Sequence, residues 1–226
     1  MREPFIPVRT LLVDLDNTVV DRAGAFTAWA TAFADERALG ADAAAWLVDA
    51  DSDGYTPRAL LAERMRARFA LSEDVPQLVE ILLFEHLPWI APYPGVLARL
   101  DAWRSAGVPV VVVTNGTVVQ QQDKIDRTGL AGLVSGVVIS EAAGVNKPDP
   151  GIFATALDVA GVADAAGAWM VGDDPRADVL GGRDAGLRTG WVSHARTWNE
   201  DGAPDVTHAT TVEVLDALLP ARAGGR

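Results

Sequence analysis

A short apolar run that ends in two closely spaced aspartates constrains this chain more than any other feature. The segment Thr10–Val20 has the sequence TLLVDLDNTVV, in which the apolar residues Leu11–Val13 precede Asp14 and Asp16. A short apolar run bounded by turn-forming residues is typical of a buried strand in a parallel sheet. Side chains two positions apart on a strand point to the same side. We therefore expect both carboxylates to lie close together at the strand's carboxyl end, where open α/β sheets bind ligands.

Two ionised carboxylates at this spacing repel each other. At a separation of about 4 Å the repulsion costs about 4 kcal/mol with the effective dielectric of a protein surface. A bound divalent cation, or a raised pKa on one of the two groups, would offset it. A single aspartate at a strand end would more simply cap the following turn. The pair after a buried strand favours a functional site.

The bulk composition narrows the possible functions. The 226 residues, 49% of them hydrophobic, suffice for one large domain or one domain with an insert. A net charge of −12 argues against a nucleic-acid partner and against attachment to an anionic membrane. Small anions remain possible ligands, because a few cations and backbone N–H groups suffice to bind them. The absence of cysteine excludes disulfides and thiolate chemistry.

No targeting signal is evident in the sequence. The first ten residues, MREPFIPVRT, contain no apolar signal core, and no apolar run approaches the length of a membrane span. We expect a cytoplasmic protein that is a monomer or a homodimer.

Residues 20–91 lose the strand pattern and are predicted to form an all-helical insert. Phe26, Trp29 and Phe33 recur at the spacing of one helical face. Residues 88–95, PWIAPYPG, contain three prolines and a glycine and are predicted to return the chain to the main domain. The predicted helices are Ala25–Leu39, Asp42–Asp49, Arg58–Leu71 and Pro76–Leu87.

Strand and helix patterns alternate after the insert, which is typical of a parallel sheet. The sequence predicts an α/β fold, with a Rossmann-like parallel sheet covered by helices on both faces. Its core domain comprises residues 1–19 and 92–226, and residues 221–226 are expected to fray. The predicted strands are Val108–Val113, Gly136–Ile139, Ala168–Val171, Arg188–Val192 and Val206–His208; the predicted helices are Val96–Ser105, Thr117–Arg127, Pro150–Ala160, Ala177–Ala185 and Val212–Leu219.

Polar residues follow several of these strands and should meet at one edge of the sheet. An acidic cluster with one lysine suits Mg²⁺ and a phosphate group, because Mg²⁺ prefers carboxylate, water and phosphate oxygens. A carboxylate can also serve as a nucleophile, and a threonine hydroxyl with backbone N–H groups can hold phosphate oxygens. The set expected at this edge is Asp14, Asp16, Thr114, Asn115, Lys147, Asp173 and Asp178.

Four motifs in this order, DLDNT, TNG, the lysine of NKPDP, and GDDPRAD, resemble the signature motifs of the haloacid dehalogenase (HAD) superfamily. The helical insert after the first motif resembles the C1 type of cap domain in that superfamily. The match spans the chain from about Leu11 to about Leu219. The resemblance implies a Mg²⁺-dependent phosphoric monoester hydrolase that acts through an aspartyl-phosphate intermediate on a small phosphorylated metabolite.

The resemblance also implies a role for each motif residue. Asp14 would be the nucleophile, and Asp16 the general acid and later the general base. Lys147 would neutralise charge on Asp14 and the phosphate. The remaining roles are phosphate binding by Thr114 and the N–H of Asn115, metal binding by Asp14, Asp173 and the Asp16 carbonyl, and support of the metal by Asp178, with a less certain contribution from Asp174.

Three alternatives remain beside this interpretation. A sugar phosphomutase of the same superfamily would share the whole core. A 2-haloacid dehalogenase would lack the second aspartate, so Asp16 favours phosphate chemistry. A phospho-receiver signalling module also combines acidic residues, threonine and lysine, but is much shorter and has no cap. Most arginines of the insert should face solvent, with Arg58 and Arg22 the candidates for substrate contact.

Overall fold

The computed structural model describes residues 8–219. The C-terminal segment predicted to fray, residues 221–226, lies outside the described residues. The chain divides into two compact units, of which one is Asp21–Ala91 and the other contains the residues on either side of it. Among the described residues, no helix is long and apolar enough to cross a membrane.

The larger unit is built on a parallel sheet that contains six strands within residues 8–219. This confirms the predicted α/β fold with a Rossmann-like sheet. The strands are β1 (Thr10–Val13), β2 (Val110–Thr114), β3 (Gly136–Ile139), β4 (Ala168–Gly172), β5 (Arg188–Val192) and β6 (Val206–His208). Their order across the sheet is β3-β2-β1-β4-β5-β6.

Residues 21–91 contain four α-helices and no strand. The first helix begins before its predicted start at Ala25, because Asp21 caps it by accepting a hydrogen bond from the Gly24 N–H at 2.8 Å. The fourth ends at Phe84, and Leu87, its predicted end, lies in a separate 3₁₀ turn. The helices are α1 (Arg22–Glu36), α2 (Ala43–Asp51), α3 (Arg58–Phe69) and α4 (Val75–Phe84), with 3₁₀ turns at Ser52–Gly54 and Leu87–Trp89.

The helices of the larger unit follow the predicted order with two differences. The short helix after β3 was not predicted. The helix predicted over Ala177–Ala185 begins earlier as a π-helical turn, Pro175–Leu180, which continues into a short α-helix. The α-helices are α5 (Val96–Ser105), α6 (Val118–Thr128), α7 (Ser140–Ala143), α8 (Pro150–Val159), α9 (Gly181–Asp184) and α10 (Thr211–Leu218).

Helices cover both faces of the sheet. Met170 of β4 packs in one buried apolar cluster with Phe153 of α8. The next residue, Val171, points to the opposite face and pairs in register with Gly190 of β5. A Cβ atom on Gly190 would lie 2.7 Å from Val214 Cγ1 of α10, so glycine permits this helix to approach closely.

The register brings three strand ends to one level. Val13 of β1 pairs with Val112 of β2 on one side and with Val171 of β4 on the other. The next backbone group, the Asp14 N–H, donates to the Val171 carbonyl at 2.9 Å. The chain order also reverses across β1, because β2 lies on one side of it and β4 on the other. Such a switch point, at the carboxyl ends of parallel strands, is where open α/β sheets bind ligands.

Candidate active site

Lys147 joins two buried carboxylates at the carboxyl end of the sheet. Its Nζ donates to Asp14 Oδ1 at 2.5 Å and to Asp178 Oδ1 at 2.7 Å. The side chains of Lys147 and Asp178 are 3% and 1% exposed. Asp14 follows β1 directly, whereas Asp178 lies in the π-helical turn after β4. The fold therefore brings together three residues that are far apart in the sequence, as the strand-end argument predicts.

Asp173 adds a third buried carboxylate to this group. One oxygen from each of Asp14, Asp173 and Asp178 lies within 4.8 Å of the others. Arg196 Nη2 donates to Asp173 Oδ2 at 3.0 Å and to the Asp173 carbonyl at 2.7 Å. The indole N–H of Trp191 donates to the same carbonyl at 3.0 Å. Asp173 is thus fixed through both its backbone and its side chain.

Burial and mutual repulsion perturb all three carboxylates. Burial, opposed by Lys147 and assisted by Asp178, raises the pKa of Asp14 to about 7. Burial and the Asp14 charge raise the pKa of Asp173 to about 7, although Arg196 opposes them. Burial, again opposed by Lys147, raises the pKa of Asp178 to about 6. Burial alone would lower the pKa of Lys147, but the charges of Asp14 and Asp178 outweigh it and raise this pKa.

This donor set fits a hard divalent cation. Within residues 8–219, three buried carboxylates form ion pairs with two cationic side chains, Lys147 and Arg196, so a divalent cation would supply the charge that balances the third. Closely grouped carboxylate oxygens are the ligands that Mg²⁺ prefers, usually with water and substrate phosphate completing the shell.

The turn after β4 depends on Gly172 and Asp174. A Cβ atom on Gly172 would lie 2.1 Å from Asp178 Oδ2, so only glycine leaves room for this carboxylate. The Asp174 N–H donates to the same oxygen at 3.0 Å. The Asp174 side chain accepts hydrogen bonds from the N–H groups of Arg176 and Ala177 at 2.7 and 2.8 Å. Asp174 therefore caps the turn that presents Asp178.

Asp16 lies apart from the three grouped carboxylates. Its oxygens accept hydrogen bonds from Lys124 Nζ at 2.8 and 2.7 Å, and one of them also accepts from Gln121 Nε2 at 3.0 Å. Lys124 and Gln121 belong to α6. Asp14 and Asp16 thus bind different lysines. The two lysines oppose the repulsion between the carboxylates, although the Asp16 charge still contributes to the raised pKa of Asp14.

Thr114 is the last residue of β2, and Asn115 follows it. The Thr114 side chain accepts a hydrogen bond from Gln121 Nε2 at 2.5 Å, and the Asn115 carbonyl accepts from the same amide at 3.3 Å. The Gly116 N–H donates to Ser140 Oγ at 3.0 Å. Gln121 therefore links the end of β2 to Asp16 at the end of β1.

The sequence matches a known family over the part of the chain that contains Asp14, Lys147 and Asp178. A model of the haloacid dehalogenase-like hydrolases matches residues 8–186, which is most of the chain. The chain belongs to the haloacid dehalogenase-like hydrolases. The resemblance seen in the four motifs is thereby confirmed at the level of the family, as is the prediction of an enzyme.

Named relatives of this hydrolase include phosphatases. The pyrimidine 5'-nucleotidase YjjG of Escherichia coli is 40% identical over 129 residues, which cover 57% of this chain and 56% of that protein. The N-acetylmuramic acid 6-phosphate phosphatase of Pseudomonas aeruginosa is 30% identical over 222 residues, which cover 93% and 95%. The chain spans about half the length of the first curated relatives that it matches.

Solved structures of HAD proteins share the fold. The HAD-hydrolase YfnB from Bacillus subtilis, solved bound to magnesium, superposes with a TM-score of 0.78 at 20% identity, covering 94% of this chain and 99% of that one. A 2-haloacid dehalogenase from Pseudomonas syringae superposes with a TM-score of 0.63 at 27% identity, covering 94% and 100%.

Sequence reasoning missed three polar side chains that donate hydrogen bonds to the carboxylates of Asp16 and Asp173 in this hydrolase: Gln121, Lys124 and Arg196. Of these three residues, only Lys124 had a feature in the sequence that could have pointed to it, namely the rarity of lysine. The chain has 19 lysine and arginine residues, of which only Lys124 and Lys147 are lysines. Arg196 follows β5 in a loop without a motif, so its contact with Asp173 depends on the fold.

The two arginines singled out in the insert contact a common partner. Arg22 and Arg58 both bind Asp51, with Arg22 Nη2 at 2.9 Å and Arg58 Nη1 at 2.5 Å from Asp51 Oδ1. Burial would raise the pKa of Asp51, but the two guanidinium groups outweigh it and hold this pKa below its ordinary value. Both arginines therefore neutralise a buried carboxylate within the helical unit, residues 21–91, and their contact with substrate stays a prediction.

Proposed function

We propose that this hydrolase is a Mg²⁺-dependent phosphatase that acts on a small phosphorylated metabolite through an aspartyl-phosphate intermediate. The observation that carries the proposal is the placement of Lys147 between Asp14 and Asp178, beside Asp173. A nucleophilic carboxylate paired with an ammonium group, in a cluster suited to a divalent cation, matches the needs of phosphoryl transfer. The phosphatase relatives support the same reaction class.

The metal would be held by the carboxylates of Asp14 and Asp173 and by the Asp16 carbonyl, with Asp178 close by. Bound Mg²⁺ supplies positive charge to the phosphoryl oxygens and lets an anionic nucleophile approach them. Arg196 holds Asp173 in place at 3.0 Å, and Lys147 holds Asp178 at 2.7 Å.

In the first step, an oxygen of Asp14 attacks phosphorus and forms an acyl-phosphate bond. The ester P–O bond breaks at the same centre, and Asp16 gives its proton to the departing alkoxide, which leaves as an alcohol. The Thr114 hydroxyl and the Asn115 N–H bind the transferring phosphoryl oxygens. Lys147 compensates the negative charge that Asp14 shares with the phosphoryl group.

In the second step, Asp16 acts as a base. It takes a proton from a water molecule that attacks the aspartyl phosphate, the acyl-phosphate bond breaks, and inorganic phosphate leaves. Asp14 returns to a carboxylate and Asp16 is protonated again. Residues 20–91 serve as a C1-type cap domain that excludes bulk water during the reaction.

The test is phosphate release from p-nitrophenyl phosphate with Mg²⁺ and with EDTA. We expect turnover with Mg²⁺ and loss of turnover with the chelator, and equal rates in both would reject the metal. A panel of pyrimidine nucleoside 5'-phosphates, N-acetylmuramic acid 6-phosphate and other sugar phosphates then identifies the substrate class. Isomerised sugar phosphate in place of free phosphate would instead identify a phosphomutase, and halide release from 2-chloropropionate a dehalogenase.

A further inference from the structure

Both lysines of this chain are buried beside the same pair of aspartates. The sequence has 19 lysine and arginine residues, and the lysines are Lys124 and Lys147. Their side chains are each 3% exposed. Lys147 binds Asp14 and Lys124 binds Asp16. The lysine on Asp14 belongs to the family motif, whereas the lysine on Asp16 has no role in the proposed mechanism.

Lys124 holds Asp16 by both oxygens. Its Nζ lies 2.8 Å from Oδ1 and 2.7 Å from Oδ2. Gln121, three residues earlier in α6 and therefore on the same face of the helix, donates to Oδ2 at 3.0 Å. The Asp16 side chain is itself 25% exposed, so these contacts from α6 restrict a carboxylate that packing alone leaves partly free.

The choice of lysine at this position contrasts with the ion pairs of Asp51, a buried carboxylate in residues 21–91. Asp51 in the helical unit is held by two arginines, Arg22 and Arg58. Arginine binds a carboxylate through a planar fork, whereas the lysine ammonium is a compact charge with three donors that can reach both oxygens at the end of a thin stem. Lys124 therefore bridges both oxygens of Asp16 through a single nitrogen atom.

We propose that Lys124, assisted by Gln121, is a positioning residue for Asp16. It fixes the orientation of this carboxylate for proton transfer to the leaving group and, in the second step, from water. General acid–base catalysis requires the carboxyl group to lie within hydrogen-bond reach of the proton it gives or takes. The inference rests on the proposed phosphatase function and adds a residue to its machinery.

The test compares two substrates in Lys124→Met, which keeps the length of the side chain and removes its charge. An alkyl phosphate needs a proton on its leaving group, whereas 2,4-dinitrophenyl phosphate does not. We expect kcat for the alkyl phosphate to fall by about 10²–10⁴-fold, the usual contribution of a general acid or base. The rate of dinitrophenol release in the first turnover should stay close to that of the unmodified enzyme.

A matched control and a double variant separate positioning from a general structural effect. Arg127→Met removes an exposed cation from the same helix, where Arg127 pairs with Asp123 at 2.7 Å, and should leave both rates unchanged. In an Asp16→Asn background, Lys124→Met should cost no further activity, because the group it positions is already absent. Lys124→Arg should restore part of the alkyl phosphate rate.

The possible results are distinct. An equal loss of first-step rate on both substrates, or a further loss in the Asp16→Asn background, would overturn the positioning role. An unmodified enzyme without any phosphatase activity would instead reject the proposed function. Circular dichroism and melting temperature show whether Lys124→Met folds. If it does not, Lys124→Gln, which keeps a hydrogen-bond donor, must show the same difference between the substrates.

Discussion

The Asn115 side chain brackets the backbone of Lys147. Asn115 Oδ1 accepts a hydrogen bond from the Lys147 N–H at 2.8 Å, and Asn115 Nδ2 donates to the Lys147 carbonyl at 3.0 Å. The end of β2 therefore supports the loop that carries the lysine. This side-chain function is additional to the phosphate contact proposed for the Asn115 N–H, and it explains how one long side chain reaches both Asp14 and Asp178.

Replacing Asn115 by alanine should remove both hydrogen bonds that hold the backbone of Lys147. Each lost hydrogen bond lowers the free energy of unfolding by about 0.5–1.5 kcal/mol, so the total loss should be about 1–3 kcal/mol. We expect kcat to fall by at least about tenfold, since small misplacements of a catalytic group can cost about 10²-fold. Asn115→Asp is the control, because it keeps the acceptor and loses the donor. Its free energy of unfolding should lie between those of the alanine variant and the unmodified enzyme, and equal values for all three would contradict the support of Lys147 by Asn115.

Removing Arg22 should destabilise the helical unit. Asp51 is 1% exposed and is bound by Arg22, Arg58 and the Gly54 N–H. Breaking a buried ion pair by removing one partner costs about 3–5 kcal/mol. Because Arg58 remains, we expect Arg22→Met to cost about 3 kcal/mol in a calorimetric melt.

Two controls accompany this variant. Arg64→Met removes an exposed cation from α3 and should shift the melting temperature little. Asp51→Asn combined with Arg22→Met should recover part of the lost stability, since no uncompensated charge then stays buried. Equal melting temperatures of Arg22→Met and Arg64→Met would contradict the structural function of the Arg22–Asp51 pair.

The sequence predicts the sheet well because its strands are short apolar runs that end in turn-forming residues. β-branched runs such as Val110–Val113 are buried on both faces and leave little ambiguity. Helix ends are harder to predict, since they depend on single capping contacts such as the hydrogen bond from the Gly24 N–H to Asp21. The π-helical turn Pro175–Leu180 was predicted as an ordinary helix because periodicity does not distinguish the two.

The residues of the candidate site can be predicted from the strand ends. The side-chain contacts that support them cannot. The strand-end argument placed Asp14, Lys147 and Asp173 together, since the carboxyl ends of parallel strands meet at one edge. The same argument treated Asp14 and Asp16 as one repelling pair. The structure turns Asp16 towards Lys124, a contact between residues 108 positions apart that depends on how α6 packs. Such long-range side-chain contacts carry no local sequence pattern.

Mg²⁺ should stabilise this protein more at pH 8 than at pH 5. Folding raises the pKa of Asp14 and Asp173 from an ordinary value of 3.8 to about 7. The native state therefore holds protons that the unfolded chain has lost, and without metal these groups lower the free energy of unfolding as pH rises from about 4 to 7. Mg²⁺ requires the ionised carboxylates, so its affinity increases through the same range.

The measurement is the melting temperature with Mg²⁺ and with EDTA at both pH values. A Mg²⁺ concentration about 100 times the Kd adds about 2.7 kcal/mol of stability. We expect most of this difference at pH 8, and Asp173→Asn should reduce it strongly at that pH. A Mg²⁺ effect of the same size at pH 5 and pH 8 would contradict the assignment of these carboxylates to the metal.

Asp14 and Asp16 should respond differently to the same substitution. Asp14→Asn replaces the proposed nucleophile by an amide, which cannot form the acyl phosphate, so no substrate should give a first step. Asp16→Asn keeps the nucleophile and loses the proton donor and the later base, at a cost of about 10²–10⁴ in rate. Metal binding should persist in Asp16→Asn, because the backbone carbonyl of this residue is the proposed ligand.

A pre-steady-state run with p-nitrophenyl phosphate separates the two variants, since nitrophenol leaves without protonation. Asp16→Asn should release a burst of nitrophenol equal to the enzyme concentration, followed by slow turnover, and Asp14→Asn should release none. A burst from Asp14→Asn instead would reverse the two roles.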